Sequence, residues 1–305
     1  MSSPKVTFGF VNCNRLLYLK SNIESLLACT EDYLNKEIIV VDNCSKEEGT
    51  DEYLEDLTSR GFNIIKRKER DPKNEFAKAK NLIVKESTGD FIAPLTGDMQ
   101  FVLKNCWLRG YVEFFSKHEN DTGCIGFDAQ RTIRNKSSSL TPVIQTSVGL
   151  GFTFNLSKAP IAGAANCMFS RKNIDLLYPW SEKNERHEGG GDSESKMLAK
   201  CRLVMEQQEL PWKQAQPIIP PSVAIYNEDG SNGARVSGED RIGDYIAPRE
   251  DDFRYYELKD YNSLLDTFAD REVPVGIEEI ASPIGWRAPL DTHGSWIKSP
   301  PKINR

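Results

Sequence analysis

The chain has 305 residues, 39% of them hydrophobic, and a formal net charge of −6. That apolar fraction is enough for a real core in one large domain or two, and the acidic balance argues against a nucleic-acid partner, which requires a basic surface. No apolar run approaches the roughly 18 residues that span a bilayer, and no basic segment followed by an apolar run opens the chain. A cytoplasmic protein is expected, with no transmembrane segment and with peripheral membrane contact left open.

The seven cysteines (Cys13, Cys29, Cys44, Cys106, Cys124, Cys167 and Cys201) are odd in number and never spaced as CxxC. They read as reduced thiols, mostly small core residues, rather than zinc ligands. In a reducing compartment the N-x-S triplets at Asn43, Asn135 and Asn155 carry no glycan. The basic run from Lys66 to Arg70 is diluted by Glu69 and Asp71, which reads as a solvated loop.

Val6 to Val11 is a β-rich run ending in Asn12-Cys13-Asn14-Arg15, and Leu16, Leu19, Ile23, Leu26 and Leu27 follow at helical spacing. Lys36 to Ser45 (KEIIVVDNCS) holds an unbroken apolar run that ends in Asp, Asn and Ser, as a buried parallel strand opening into a crevice does. Thr50 to Arg60 predicts a short helix closed by Gly61, and Phe62 to Lys66 a third strand. Glu75 to Ser87 carries Phe76, Ala79, Ile83 and Val84 at helical spacing, and Phe91 to Leu95 is a fourth strand. The order is βαβαβαβ, which predicts an α/β fold with a parallel sheet and helices on both faces.

In such a sheet the ligand sits beyond the carboxyl ends of the strands: Asn12 to Arg15, Asp42 to Ser45, Lys68 to Asn74, and Thr96-Gly97-Asp98. No Gly-x-Gly-x-x-Gly follows the first strand and no P-loop sequence occurs, so polar and acidic strand ends replace a glycine cradle. Asp42 can accept a hydrogen bond from a ribose or from a ring N–H of a base; the alternative is an Asx-type turn ending a core strand. Asp98 can serve as a hard oxygen ligand for a divalent cation that holds a diphosphate, or it is a turn carboxylate.

The succession VTFGFVNCNR, EIIVVDNCS and AKAKNLIVKESTGDFIAPLTGD resembles the nucleotide-binding half of family 2 glycosyltransferases, inverting enzymes of the Rossmann-like A-type fold. The resemblance implies Asn12 beside the nucleoside, Asp42 accepting from the base, Arg70 holding base or phosphates, Asn81 in the donor site, and Asp98 as the last acid of an Asp-x-Asp motif that binds Mn²⁺ or Mg²⁺. Thr96 departs from that motif, standing where its first Asp is expected.

In the second half, Phe101 to Lys117 predicts a helix and Cys124 to Phe127 a strand. Arg131 to Asn155, rich in Ser, Thr and Gly, predicts hairpins or a loop. Ala162 to Arg171 is a small-residue stretch leading to a helix at Lys172 to Leu177; the resemblance places it along the donor sugar. Glu185 to Glu194 (ERHEGGGDSE) opens a helix from Ser193 to Leu203, with Asp192 as its N-cap. The resemblance makes Asp192 the catalytic base, with Gly191 in place of a first acid and with His187 and Glu188 as rivals. Val223 to Tyr226 is a short strand before Asn227 to Gly233. Relatives place a metal-binding His there and none occurs, so Glu228 or Asp229 stands in as an oxygen ligand, or the segment is a polar turn.

The expected organisation is a catalytic domain over residues 1–236, with a nucleotide-binding half over 1–100 and an acceptor half over 101–236. A C-terminal extension over 237–305 follows, helix-like from Tyr255 to Phe268 and carrying Trp286 and Trp296. The expected activity is inverting transfer of a sugar from a nucleotide-diphosphate donor, a UDP-sugar, to a hydroxyl of a saccharide or glycolipid. Two other readings stand beside it. One is a non-catalytic nucleotide-sugar-binding protein; the other is a sugar-nucleotide pyrophosphorylase, whose Gly- and basic-rich first loop VNCNRLLYLK lacks.

Overall fold

The computed structural model describes residues 3–71, 74–97, 99–127, 141–156, 166–182, 191–224 and 255–259; for 191–196, 198 and 256 it describes the backbone alone. The first hundred residues alternate as expected: β1 (Val6–Asn12), α1 (Leu16–Cys29), β2 (Lys36–Asp42), α2 (Thr50–Ser59), β3 (Asn63–Lys66), α3 (Glu75–Glu86) and β4 (Phe91–Leu95). Then come β5 (Met99–Phe101), β6 (Leu103–Lys104), α4 (Trp107–Lys117), β7 (Thr122–Gly126), β8 (Ile144–Gln145), β9 (Gly151–Phe154) and β10 (Cys167–Ser170). The chain continues through α5 (Arg171–Leu177), α6 (Gly191–Gln207), β11 (Lys213–Pro217), β12 (Ser222–Ala224) and β13 (Tyr256–Glu257).

Among the described residues the main sheet has nine strands in the order β3-β2-β1-β4-β10-β7-β11-β9-β8. The first four are mutually parallel, with Asn12 aligned on Asp42 and Phe10 on Leu95. The chain walks outward from β1 to β3 and then returns to the other side of β1, so the strand order reverses between β1 and β4. β10 is antiparallel to both of its neighbours, β4 and β7. It joins the two halves of the sheet.

Alternation along β2 divides the core. Ile38 and Val40 face a cluster with α1, α2 and α4, while Ile39 and Val41 face Ala79 and Ile83 of α3. The first cluster centres on Trp107, which stacks on Phe101 at 5.6 Å and meets Tyr111 edge-on at 5.3 Å; its indole N–H donates to the Cys29 carbonyl at 2.9 Å. Each such ring pair contributes on the order of 1 kcal/mol beyond its buried area. On the opposite face, α5 and α6 pack on β10 through Ile174, Leu177, Met197 and Cys201.

Several boundaries differ from the sequence reading. The helix expected from Phe101 starts at Trp107, because Phe101 pairs with Ser222 and the backbone at Asn105 and Cys106 takes φ of 57° and 53°. That left-handed pair breaks any helix running through it. The strand expected from Cys124 begins at Thr122, and the helix expected from Ser193 runs over Gly191–Gln207. Within the Arg131 to Asn155 excursion, β8 and β9 form a hairpin; residues 128–140 lie outside the described residues. The helix-like patch expected from Tyr255 to Phe268 opens with β13, paired with β6, and turns helical at Leu258, which is buried in the main core; residues 260–268 lie outside the described residues. The proposed boundary at residue 236, and Trp286 and Trp296, lie outside the described residues. Among the described residues no helix is long and apolar enough to cross a membrane.

Candidate functional site

The carboxyl ends of β1 and β2 carry a closed hydrogen-bond set. Asn12, aligned on Asp42 by the strand register, donates from Nδ2 to Asp42 Oδ1 at 2.8 Å and to Ser45 Oγ at 3.2 Å. Ser45 donates to the same carboxylate from its backbone N at 2.9 Å and from its hydroxyl at 2.5 Å. Asp42 thus caps its own backbone three residues on and is held from three donors at the strand ends, 4% exposed. A carboxylate offers about four lone-pair sites, so three internal bonds leave about one for a ligand N–H or O–H.

The two loops are stitched beyond this set. The Asn14 N–H donates to Ser45 Oγ at 2.9 Å, and the Lys46 N–H donates to Asn14 Oδ1 at 2.6 Å. Glu47 Oε2 accepts from the Leu16 N–H at 2.7 Å, placing an anion at the start of α1 where the helix dipole favours it. Asn43 is 1% exposed; its Oδ1 accepts from Arg67 Nη1 at 3.2 Å, whereas its Nδ2 has no hydrogen-bond partner among the described residues.

Arg70 lies in the loop before α3. Its guanidinium meets the Glu75 carboxylate from Nε and Nη2, both at 3.3 Å, and Glu75 is 4% exposed. Arg70 is therefore positioned by an ion pair at the mouth of α3, where a phosphate or base would compete with Glu75. Asn81 sits elsewhere: its amide engages the main chain of Trp180, on the far side of α3.

Thr96 follows β4 and donates from both its N–H (2.9 Å) and its hydroxyl (2.8 Å) to Asn166 Oδ1. The position where a first metal-binding acid is expected therefore tethers the end of β4 to the start of β10. Asp98, His187, Glu188, Glu228 and Asp229 lie outside the described residues, as do Ala162 to Ala165. Asp192 is the second residue of α6, and the backbone alone is described there. Among the described residues no three His, Cys, Asp or Glu side chains cluster as a metal site.

One residue escaped the sequence reading. Lys80 is 2% exposed on α3, its ammonium 4.6 Å from the Phe76 ring centre. α3 packs on β1 where Gly9 faces Ile83, and Lys80 stands nearly one turn closer to the carboxyl ends of the strands. The signal was present: a lysine four residues after Phe76 and four before Val84, inside an otherwise apolar stripe. A cavity of about 440 Å³ lined by Asp90, Phe91, Ser170 and Arg171 lies at the amino end of β4. It belongs to the back of the sheet, away from this crevice.

The strand order reverses between β1 and β4, and polar groups gather over the carboxyl ends of β1, β2 and β4, the place where α/β sheets of this kind hold a ligand. The family model for glycosyl transferase family 2 matches residues 9–175, more than half of the chain, and this chain belongs to that family. A comparison with curated protein sequences finds no match. Among solved structures, S. aureus TarS 1-349 in complex with UDP is similar at 14% identity and TM-score 0.47, covering 64% of this chain and 54% of that one. The mannosyltransferase PcManGT from Pyrobaculum calidifontis, in complex with GDP-Man and Mn²⁺, is similar at 15% identity and TM-score 0.46, covering 71% and 57%. GalNAc-T7 with UDP, GalNAc and Mn²⁺ is similar at 14% identity and TM-score 0.49, covering 72% and 43%. This chain spans about half the length of these structures.

Proposed function

We propose that this protein transfers a sugar, with inversion, from a nucleotide-diphosphate donor of the UDP-sugar class to a hydroxyl of a saccharide or glycolipid. The observation that carries the reading is the Asn12–Asp42–Ser45 set: a preorganised carboxylate at the end of β2 with acceptor capacity left for a base N–H. Membership of glycosyl transferase family 2 supports it, as does the polar crevice at the strand reversal.

Arg70 and Lys80 supply positive charge near the α3 end of that crevice for the diphosphate. Asp192, at the head of α6, takes the proton from the acceptor hydroxyl as its oxygen attacks the anomeric carbon. The bond from that carbon to the diphosphate breaks in the same displacement, which inverts the configuration. With Thr96 engaged by Asn166, Asp98 would hold a hard divalent cation together with the donor's phosphates, and such a cation is bound through few carboxylates plus phosphate oxygens. When bound, Mn²⁺ or Mg²⁺ neutralises charge on the diphosphate.

The test is a thermal-shift panel of UDP, GDP, CDP and TDP, each with and without Mn²⁺, followed by transfer assays with the UDP-sugars. A ligand that binds only the folded state raises the melting temperature with its saturation. A shift for UDP that grows with Mn²⁺, and a product of inverted anomeric configuration, are expected. No shift with any of the four removes the donor site, and a bound UDP-sugar that is never turned over makes the protein a binding module.

A further inference from the structure

Asn81 lies in the middle of α3 and is 6% exposed. Its amide makes three bonds to a segment about a hundred residues further on. Oδ1 accepts from the Trp180 N–H at 2.8 Å, and Nδ2 donates to the Trp180 carbonyl at 3.0 Å and to Glu182 Oε1 at 2.8 Å. A primary amide has two N–H donors. Both are engaged within the protein, so neither is left for a sugar or a phosphate.

The Asn81 amide serves the Trp180 main chain as a neighbouring strand would. It is also the polar point on an apolar seam: Ala77 and Val84, on the same face of α3, pack with Trp180, Met197 and Cys201. A single hydrogen-bonded amide in such a seam fixes how the two sides register, since sliding would bury its groups unpaired. The segment is held from α6 as well, where Lys200 Nζ donates to the Pro179 carbonyl at 3.1 Å. Pro179 and Trp180 therefore lie between α3 and α6, which begins with Gly191-Asp192, and Glu182 follows on the exposed side.

We infer that Asn81 is a positioning residue: it latches the segment leading into the Asp192 helix onto α3, and so sets that helix against the nucleotide-binding half. The inference rests on the function proposed above. Donor binding and turnover should then separate at this position, because both amide N–H groups are spent on Trp180 and Glu182.

The experiment compares wild type, Asn81→Ala and Glu182→Ala in the full chain. Three quantities are read: UDP affinity by calorimetry with Mn²⁺, kcat and KM for a UDP-sugar, and hydrogen exchange across residues 197–207. For Asn81→Ala, UDP affinity and KM stay within about twofold while kcat falls by about 10- to 100-fold, the scale of an ångström-level misplacement. Exchange over 197–207 accelerates. Glu182 is exposed and contributes one bond, so Glu182→Ala gives the same pattern at smaller amplitude and remains informative should Asn81→Ala not fold. A tenfold loss of UDP affinity in Asn81→Ala makes the residue a donor contact and overturns the latch; unchanged kcat with unchanged exchange does so too. If the wild type turns over no UDP-sugar, the proposed function fails separately, and exchange in 197–207 alone decides the latch, an unaltered rate refuting it.

Discussion

Asn12 Nδ2 reaches Asp42 Oδ1 at 2.8 Å, between residues that the parallel β1–β2 register places side by side. One bond thus ties two strand ends and orients the carboxylate at the crevice. Asp42→Ala leaves the Asn12 amide and the Ser45 N–H without their acceptor, a loss of about 1–3 kcal/mol by the usual cost of orphaned buried groups. UDP affinity is expected to fall at least about tenfold, the value of one hydrogen bond to a charged group. Urea unfolding and calorimetry measure the two effects; unchanged UDP affinity would remove Asp42 from the donor site.

Gly9 sets how closely α3 approaches the sheet. A Cβ built there lies 2.1 Å from Ile83 Cγ2 and 2.8 Å from Cγ1. Gly9→Ala is expected to cost about 1–3 kcal/mol through overpacking. Combining it with Ile83→Ala should cost less than the sum of the two single changes, a non-additivity that a double-mutant cycle reads directly.

Arg171 closes the carboxyl end of α3 from α5. Its guanidinium donates to the carbonyl and hydroxyl of Ser87, both at 2.8 Å, and to the Gly89 carbonyl at 3.3 Å. Cations are favoured at this end of a helix. Arg171→Ala should destabilise by about 1.5–3 kcal/mol, the range for charged hydrogen bonds. Lysine at 171 restores only part, because one ammonium does not reproduce the planar fork. A denaturation midpoint no different from wild type would show that water serves those carbonyls equally well.

Glu113 links α4 to the β8–β9 hairpin. Desolvation pushes its carboxyl up, but hydrogen bonds from Lys117 and from the hydroxyl and N–H of Ser147 outweigh this and hold it at about 2. A folded value below the unfolded one, about 4.3, means the stabilisation is complete above that pH and is lost as pH falls toward 2. Glu113→Gln should therefore lose less stability than wild type between about pH 4.5 and 2. Parallel acid titrations of the two proteins by circular dichroism provide the check, and superimposable curves would contradict it.

Thr96 leaves one expected acid for a cation. Asp98→Asn should abolish the extra thermal shift that Mn²⁺ adds to UDP while keeping part of the shift with UDP alone. EDTA should have the same effect on the wild type. A Mn²⁺ increment that survives in Asp98→Asn would place the ion on other oxygens.

The nucleotide-side topology was legible because its signals are local. A four-residue β-branched run in β2, helical spacing of Phe76, Ala79 and Ile83, and Gly61 after α2 each announce their element without reference to distant chain. β10 and β11 were not read as strands: CMFS is too short, and KQAQP alternates glutamines that are buried by the far half of the sheet. Asp42 could be placed because a strand end is a position in the sequence. The Asn81 partners could not, since the amide's surroundings are created by residues 180 and 182, and a polar residue in a helical stripe says nothing about who meets it.

β10 carries a consequence for how the protein is made. It separates β4 from β7 although it comes later in the chain than either. During synthesis both of those strands emerge with an unpaired edge, and neither edge can be covered until residues 167–170 have left the ribosome. Exposed strand edges invite pairing with other chains. A fragment ending before Cys167 should thus be prone to aggregate even though it holds β1, β2 and β4 complete, and solubility should return only when the chain extends through β11, which covers the other edge of β7 and the edge of β9.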